Sequence, residues 1–311
     1  MRFLHVADVH LDTSFSGRSE TVRRRLRDAS REAFRRAVEV AIQEEVHAFL
    51  IAGDLFDGDR LSFQTERFLL EQARHLGDHG ITLVYATGNH DPGHPEAGPR
   101  SLRWPAEVHV VDDRTPQRLR IHDGEGRPVG WVTAVGHETS REQKDLSRLM
   151  PPPGGELPEV ALLHTQVHAS LGSEAHHAYA PSELSFLTRA GFDYWALGHV
   201  HVRQLLAEDP PVVYAGSLQG KSHADTGPRG ATLVDLTDRA AAAVDFRPVA
   251  PVRWETLRVD GLDDADSLDA LVRRTRAAWR RAREEEGASP ADVEWMIRVI
   301  LEGPAPLWRE L

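Results

Sequence analysis

Five short polar clusters hold the residues whose types and spacing can do chemistry: Asp8-Val9-His10, Gly53-Asp54, Gly88-Asn89-His90-Asp91, His164 and Gly198-His199-Val200-His201. Carboxylate, amide and imidazole donors together can hold a pair of divalent ions. Ions about 3.5–4 Å apart need a shared ligand, several flanking oxygen and nitrogen donors, and room for water between them. An aspartate bridges well, because each of its oxygens can serve one ion. Strict alternation on an extended segment puts His199 and His201 on one face, so both would reach the same pair. Asn89 is the only asparagine of the chain, which marks its amide as kept for its chemistry. Taken singly the clusters are weak: an Asp-x-His at a strand end can be a hydrogen-bonded turn, and a lone His is more often a satisfied core residue. With no cysteine in the chain, disulfides and thiolate sites are excluded, and a metal would rest on His, Asp, Glu or Asn.

Those clusters need elements to bring them together. Short apolar runs at Phe3 to Ala7, Ala48 to Ala52, Ile81 to Ala86, Val160 to Leu163, Tyr194 to Leu197 and Val212 to Ala215 read as buried strands. Helical spacing joins the first to the second (Val22, Leu26, Ala29, Ala33, Ala37, Ala41) and the second to the third (Phe68, Leu69, Gln72, Leu76). The order β-α-β-α-β predicts an α/β domain. Each of the first five runs ends in one of the polar clusters, and sites in α/β sheets gather at the carboxyl ends of strands. Five such ends should converge.

Pro151-Pro152-Pro153-Gly154-Gly155 reads as a loop, and Arg247-Pro248-Val249-Ala250-Pro251 as a domain boundary, giving 1–250 and 251–311. The second domain is predicted as a strand, Trp254 to Val259, a helix from about Ser267 to Glu286 ended by Gly287, and a strand, Trp295 to Leu301. It is a small α+β element that stops at Leu311 and is expected to be incomplete. Ala240 to Ala243 is the one low-complexity patch.

At 311 residues and 41% hydrophobic, the chain can bury a large core. No apolar run approaches the roughly 20 residues that span a bilayer, and no secretory pattern opens the chain, so no membrane partner and a cytoplasmic location are expected. The net charge of −11 argues against a protein coated in nucleic acid but leaves room for a local basic face. Arg23, Arg24, Arg25, Arg27, Arg31, Arg35 and Arg36 form one candidate; a solvated helix face offset by Asp28 and Glu32 is the alternative.

The five clusters in this order resemble the signature of the calcineurin-like metallophosphoesterases, over roughly residues 1 to 220. The resemblance implies a β-sandwich flanked by helices (α/β/β/α) with a small capping domain. It also implies one ion on Asp8, His10, Asp54 and His201, and a second on Asp54, Asn89, His164 and His199. Asn89 would be a neutral carbonyl ligand, where Asp would add charge and Gln would displace the oxygen by a methylene. His90 is not a ligand in that pattern; it would stabilise developing charge or protonate the leaving oxygen. Asp91 would orient the His90 ring or cap a turn. Mixed Asp, Asn and His ligation suits Mn²⁺, Fe²⁺ or Zn²⁺ better than Mg²⁺, with Mn²⁺ the first choice for activity. His5, His94 and His168 lie near the motifs without partner spacing and read as structural or loop residues.

Gly53-Asp54-Leu55-Phe56-Asp57 is similar to the DNA repair nuclease branch, because Gly58 and Asp59 stand where protein phosphatases carry Arg-Gly. The stretches HVADVHLDTSF and YAGSLQGKSHADTGPRGATLVDL are similar to SbcD-type exonucleases, in particular their bacterial YhaO-like branch. The capping domain of such nucleases helps select DNA strands. Asp57 departs from archaeal and eukaryotic relatives, which carry His there, a residue linked to handling DNA ends. The loop from Gly216 and Ser217 to Lys221 and His223, with Arg229 beside it, would meet phosphates or be an ordinary Gly-rich turn. The resemblance implies a two-metal DNA exonuclease, with endonuclease action in view, that forms homodimers through the first two helices and works with an SbcC-like ATPase. The alternatives are a phosphatase or small-molecule phosphodiesterase, and a catalytically idle scaffold for DNA ends, which a degenerate ligand set would favour; every expected ligand is present.

Overall fold

A computed structural model describes residues 1–58, 61–93, 102–168, 170–172, 177–237, 242–286, 293–304 and 306–309. His94, Gly287, Leu311 and part of the Ala240 to Ala243 patch lie outside the described residues. The chain divides into two compact units, Met1–Gln219 with Arg229–Ala250, and Gly220–Pro228 with Pro251–Leu311.

In the first unit, strands β1 (Arg2–Val6), β2 (Ala48–Ala52), β3 (Thr82–Ala86) and β4 (Val108–Val111) run parallel. Antiparallel β11 (Gly230–Asp235) and β12 (Ala243–Pro248) complete a six-stranded sheet of order β12-β11-β1-β2-β3-β4. The second sheet has order β5-β6-β7-β8-β10-β9, from β5 (Gln117–His122), β6 (Pro128–Val135), β7 (Glu159–His164), β8 (Tyr194–Gly198), β9 (Gln204–Glu208) and β10 (Pro211–Tyr214). Strands β6, β7, β8 and β10 are parallel neighbours.

Alternation along β1 and β2 decides the layers. Phe3, Ala48 and Leu50 face the second sheet and pack with Val132, Val160 and Tyr194. Leu4, Val6, Phe49 and Ile51 face the other way, onto helices α1 (Glu20–Gln43) and α2 (Phe63–Asp78) through Phe34, Ala37, Leu69 and Leu76. Burial of one such Phe or Leu contributes roughly 1.5–3 kcal/mol. Because both faces are covered, these strands read as unbroken apolar runs. On the far side of the second sheet, a short helix α3 (Leu184–Leu187) covers Trp195 and Leu163. The arrangement is the expected α/β/β/α sandwich. Both long helices open on a serine cap: Ser19 accepts from the Val22 N–H and Ser62 from the Thr65 N–H.

The second unit is a parallel pair, β13 (Val252–Val259) and β14 (Glu294–Leu301), joined by helix α4 (Leu268–Glu286). Leu257, Val259, Leu262 and Ala278 form its core, with Leu271, Ala282 and Ile297 packed against them. Gly220–Pro228 folds with this unit, although the expected boundary assigned it to the first domain. The cause is local: the Trp254 indole N–H donates to the Gly220 carbonyl at 2.8 Å, Gly227 N–H donates to the Trp254 carbonyl at 3.0 Å, and the His223 ring lies 4.7 Å from that of Trp254. Among the described residues, no helix is long and apolar enough to cross a membrane.

Candidate metal centre

Asp8 and His10 follow β1, Asp54 follows β2, and Asn89, His90 and Asp91 follow β3; His164 ends β7, and His199 and His201 follow β8. Parallel strands place all of these ends on one edge of the sandwich. The chain must turn sharply there, and the turns fall on the donors themselves: Asp8 (φ 49°), His10 (49°), Asp54 (53°) and His199 (104°) all carry positive φ. Non-glycine residues in such regions cost about 1–3 kcal/mol each and persist only where the surroundings enforce them. Two glycines make room. Gly53 has φ 79° and a Cβ there would run into the His164 ring, while a Cβ at Gly88 would run into the Asp54 carboxylate.

Among the described residues the side chains form three connected groups, one of them His10, Asp57 and His90. Asp8, His10 and His201 make the second, and Asp8, Asp54 and His164 the third, each with ligand atoms within 4.8 Å of one another. Asp54 Oδ2 lies 3.7 Å from His10 Nε2 and 3.5 Å from His164 Nε2, the position of a shared ligand. Asn89 Oδ1 is 3.0 Å from both His164 Nε2 and His199 Nδ1. Asp8 accepts from the His199 N–H at 3.2 Å through each oxygen. All seven sequence-derived donors are therefore neighbours.

Ring tautomers test whether these residues fit cations. His164 Nδ1 faces the Ala52 carbonyl at 2.9 Å, and a carbonyl can only accept, so the proton sits on Nδ1 and Nε2 keeps its lone pair. His199 Nε2 faces the His177 carbonyl at 3.0 Å, which leaves Nδ1 the lone pair. His10 Nδ1 faces Asp57 Oδ1 at 2.6 Å, which leaves Nε2 a lone pair 3.3 Å from His201 Nε2. Lone pairs thus converge from His10, His164, His199 and the Asn89 oxygen around two buried aspartates. A set of acceptors like this suits positive charge, so the residues fit a pair of divalent ions.

Around His90 the sequence reading needs a change of partner. His90 N–H donates to Asp54 Oδ1 at 2.9 Å, and the carboxylate at its ring is that of Asp57, with Oδ1 2.9 Å from Nδ1. The same Asp57 oxygen holds His10, while Asp57 Oδ2 accepts from Thr13 Oγ1 at 2.5 Å. Asp91 instead takes the turn-capping role. It accepts from the N–H groups of Gly88 (2.7 Å), Asp54 (3.2 Å) and Leu55 (2.5 Å) and from the Tyr85 hydroxyl (2.5 Å). Burial, then the nearby Asp54 charge, pushes the Asp91 carboxyl up to about 7, against the pull of those donors. Burial also raises the Tyr85 hydroxyl well above its usual range.

The remaining candidates separate. Ser217 N–H donates to the His201 carbonyl at 3.1 Å, and the Arg229 guanidinium donates to that same carbonyl, so both support His201 from behind. Lys221 and His223 fold with the second unit. His5 is buried with Nδ1 3.2 Å from the Tyr194 hydroxyl, and His168 is exposed. On α1, Arg23 pairs with Glu20, Arg31 with Asp28 and Arg36 with Glu32, which fits the solvated-face alternative. Sequence reasoning missed His137, whose Nε2 is 2.8 Å from the His164 carbonyl and whose pKa burial lowers to about 3; its isolation in the sequence gave no signal. Asp57, three residues after Asp54, did carry one.

The profile of the family described as Calcineurin-like phosphoesterase matches residues 1–203. The chain is 31% identical to "Uncharacterized metallophosphoesterase YhaO" of Bacillus subtilis, over 99% of this chain and 73% of that protein. It is 27% identical to "DNA double-strand break repair protein Mre11" of Aeropyrum pernix, over 98% of this chain and 74% of that one. It is likewise 27% identical to the SbcD component of the nuclease SbcCD of Rhodobacter capsulatus, over 78% and 68%.

Proposed function

Because this chain belongs to the calcineurin-like phosphoesterase family, we propose that it cuts phosphodiester bonds in DNA with two divalent ions, as an exonuclease that can extend to endonuclease action in repair. Metal-dependent hydrolysis of phosphoesters goes with the family; DNA as the substrate is the added step. What carries it is the acceptor-lined centre in a chain that is similar to a nuclease subunit and whose similarity to a repair protein covers 98% of its length, past the family match.

Asp8, His10, Asp54 and His201 would hold one ion and Asp54, Asn89, His164 and His199 the other, Mn²⁺ by preference. Ions so held lower the pKa of water and neutralise charge on the phosphoryl group. The chain's own residues do the rest. His90 donates from Nδ1 to Asp57, which leaves Nε2, on a side chain 46% exposed, to carry the proton that the leaving oxygen needs. Asp57 fixes the orientation of the ring by accepting from its Nδ1. Asp91 acts through Gly88 and Asp54, holding the loop that carries His90 and Asn89 against the end of β2. A homodimer built on α1 and α2, and an ATPase partner of the SbcC type, belong to the same reading; the latter draws on the name of the SbcCD relative.

The test is Mn²⁺-dependent digestion of end-labelled single- and double-stranded DNA, with hydrolysis of bis(4-nitrophenyl) phosphate alongside and with Asn89→Ala and His90→Ala in parallel. Digestion lost in both variants is expected. A folded, metal-loaded wild type that hydrolyses compact esters and nucleotides but leaves DNA intact would overturn the nuclease reading in favour of a small-substrate phosphoesterase.

A further inference from the structure

A further set of metal-type donors, more widely spaced than those of the centre, lies apart from it. Helix α2 closes on His75-Leu76-Gly77-Asp78-His79, and the chain then enters β3 at its amino end. These histidines therefore stand at the opposite edge of the first unit from the donors that follow the carboxyl ends of the strands. Histidines four positions apart share one face of a helix, the spacing at which an imidazole pair grips an ion. Here the two rings meet edge to face, with centroids 4.9 Å apart. Glu39 reaches them from α1, its Oε1 3.7 Å from His75 Nε2. That is too long for a hydrogen bond and close to the roughly 3.4 Å between two ligands that each lie about 2.1 Å from one tetrahedral ion.

His79 is oriented for such a role. Its Nδ1 donates to the His75 carbonyl at 2.8 Å, so the ring keeps its lone pair on Nε2 with a main-chain carbonyl behind it, the arrangement usual for a metal-bound imidazole. His79 is also the C-cap of α2, beside the last carbonyls of the helix, whose partial negative charge favours a cation. The His75 and Glu39 side chains are half-buried and His79 is exposed, so the rings can turn to close on an ion, and water can complete its shell.

We propose that Glu39, His75 and His79 bind one late first-row divalent ion, Zn²⁺ in the first place, which ties the C-terminal end of α2 to α1. Two imidazoles and a carboxylate with water in the fourth position form a zinc set. Such a site ranks Zn²⁺, Ni²⁺ and Cu²⁺ above Mn²⁺, so Mn²⁺ that serves the catalytic centre would leave this one unfilled. With no cysteine in the chain, a disulfide cannot fasten the two helices, whereas an ion can. None of the three residues belongs to the set assigned to the catalytic pair, and the inference does not draw on the nuclease reading.

The experiment is equilibrium dialysis of the full chain against a zinc buffer at micromolar free Zn²⁺, with bound zinc counted by atomic emission. Wild type should carry about one zinc per chain more than His75→Gln or His79→Gln. Glu39→Gln, which keeps an oxygen but not its charge, should fill the site only at higher free Zn²⁺. Hydrolysis of bis(4-nitrophenyl) phosphate with Mn²⁺ should match wild type in all three variants, which reports an intact fold and catalytic centre. Because an ion held only by the folded chain stabilises it, added Zn²⁺ should raise the melting midpoint of wild type more than that of His79→Gln. Equal zinc in wild type and both histidine variants overturns the proposal. A zinc deficit accompanied by lost hydrolysis also overturns it, by placing the missing ion in the catalytic centre. Zinc-dependent pairing of two chains that disappears in His79→Gln overturns the tie within one chain in favour of an ion shared between copies.

Discussion

Asp57 and Asp91 are two carboxylates on either side of the same short loop, and both help to place His90, but from different surroundings. Asp91 is 1% exposed and spends its oxygens on three backbone N–H groups and a tyrosine hydroxyl. Asp57 has a side chain 23% exposed and meets two imidazoles and a threonine hydroxyl. The first pair of oxygens closes a structure; the second holds the rings of His10 and His90. A carboxylate near a candidate histidine is therefore sorted by what its oxygens accept from and by its reach to solvent, not by its distance along the chain. Asp91, next to His90 in sequence, serves the loop, while Asp57, 33 positions away, serves the ring.

The largest expected break in this comparison comes from Asp91→Ala. It leaves several buried donors without an acceptor, so unfolding of the metal-free protein in urea should show a loss of about 3–5 kcal/mol. A loss under about 1 kcal/mol would mean that water replaces the carboxylate and that the clamp is dispensable. Asp57→Asn should instead cost little stability but lower kcat on DNA roughly 10²-fold, because His90 loses its fixed tautomer. With bis(4-nitrophenyl) phosphate, whose leaving group needs no proton, the same substitution should cost far less. Equal losses on the two substrates would move Asp57 from His90 to His10 as its main concern.

A third measurement extends the contrast to pH. His5 is fully buried, and burial lowers its pKa to about 3 in the folded chain, against about 6.5 when unfolded. The unfolded state then binds the extra proton between those values, so stability is complete above about pH 6.5 and falls as pH drops toward 3. At pH 5 the His5 share of the loss is about 2 kcal/mol, and His5→Phe should remove that share in denaturant titrations at pH 7 and pH 5. An unchanged pH dependence in His5→Phe would assign the acid sensitivity to other groups. The smallest effect is expected from Tyr85→Phe, which deletes one of the four donors to Asp91 and should cost about 1–2 kcal/mol in the same urea assay.

Much of the site was legible in the sequence, because parallel strands buried on both faces are apolar runs and every run used for the site ends at its carboxyl edge in a donor. That logic located Asp8, Asp54, Asn89, His164 and His199. It failed for edge strands of both sheets. Strands β5, β9 and β12 alternate exposed and covered residues over only five or six positions, as in Gln117–His122, and such segments look like loops. It failed for Asp57 as a partner of His90 because the chain reverses at Asp54 with φ 53°, a conformation that sequence does not announce for an aspartate. It failed for Gly220–Pro228 because the attachment depends on one indole N–H, that of Trp254, reaching a backbone carbonyl. The α/β expectation was carried by patterns and the two-sheet sandwich by the family resemblance; the misses described here are single hydrogen bonds and short half-exposed strands.

The imidazoles of His164 and His199 are oriented from behind by main-chain carbonyls, those of Ala52 and His177. A substitution at either position exchanges a side chain and leaves the carbonyl in place. The protonation pattern of the centre is in this respect inherited from the path of the chain and not from the identity of those two residues. At the exposed His177 the side chain is then free to drift without altering which nitrogen of His199 faces inward, so the centre's chemistry can outlast change in that part of the wall.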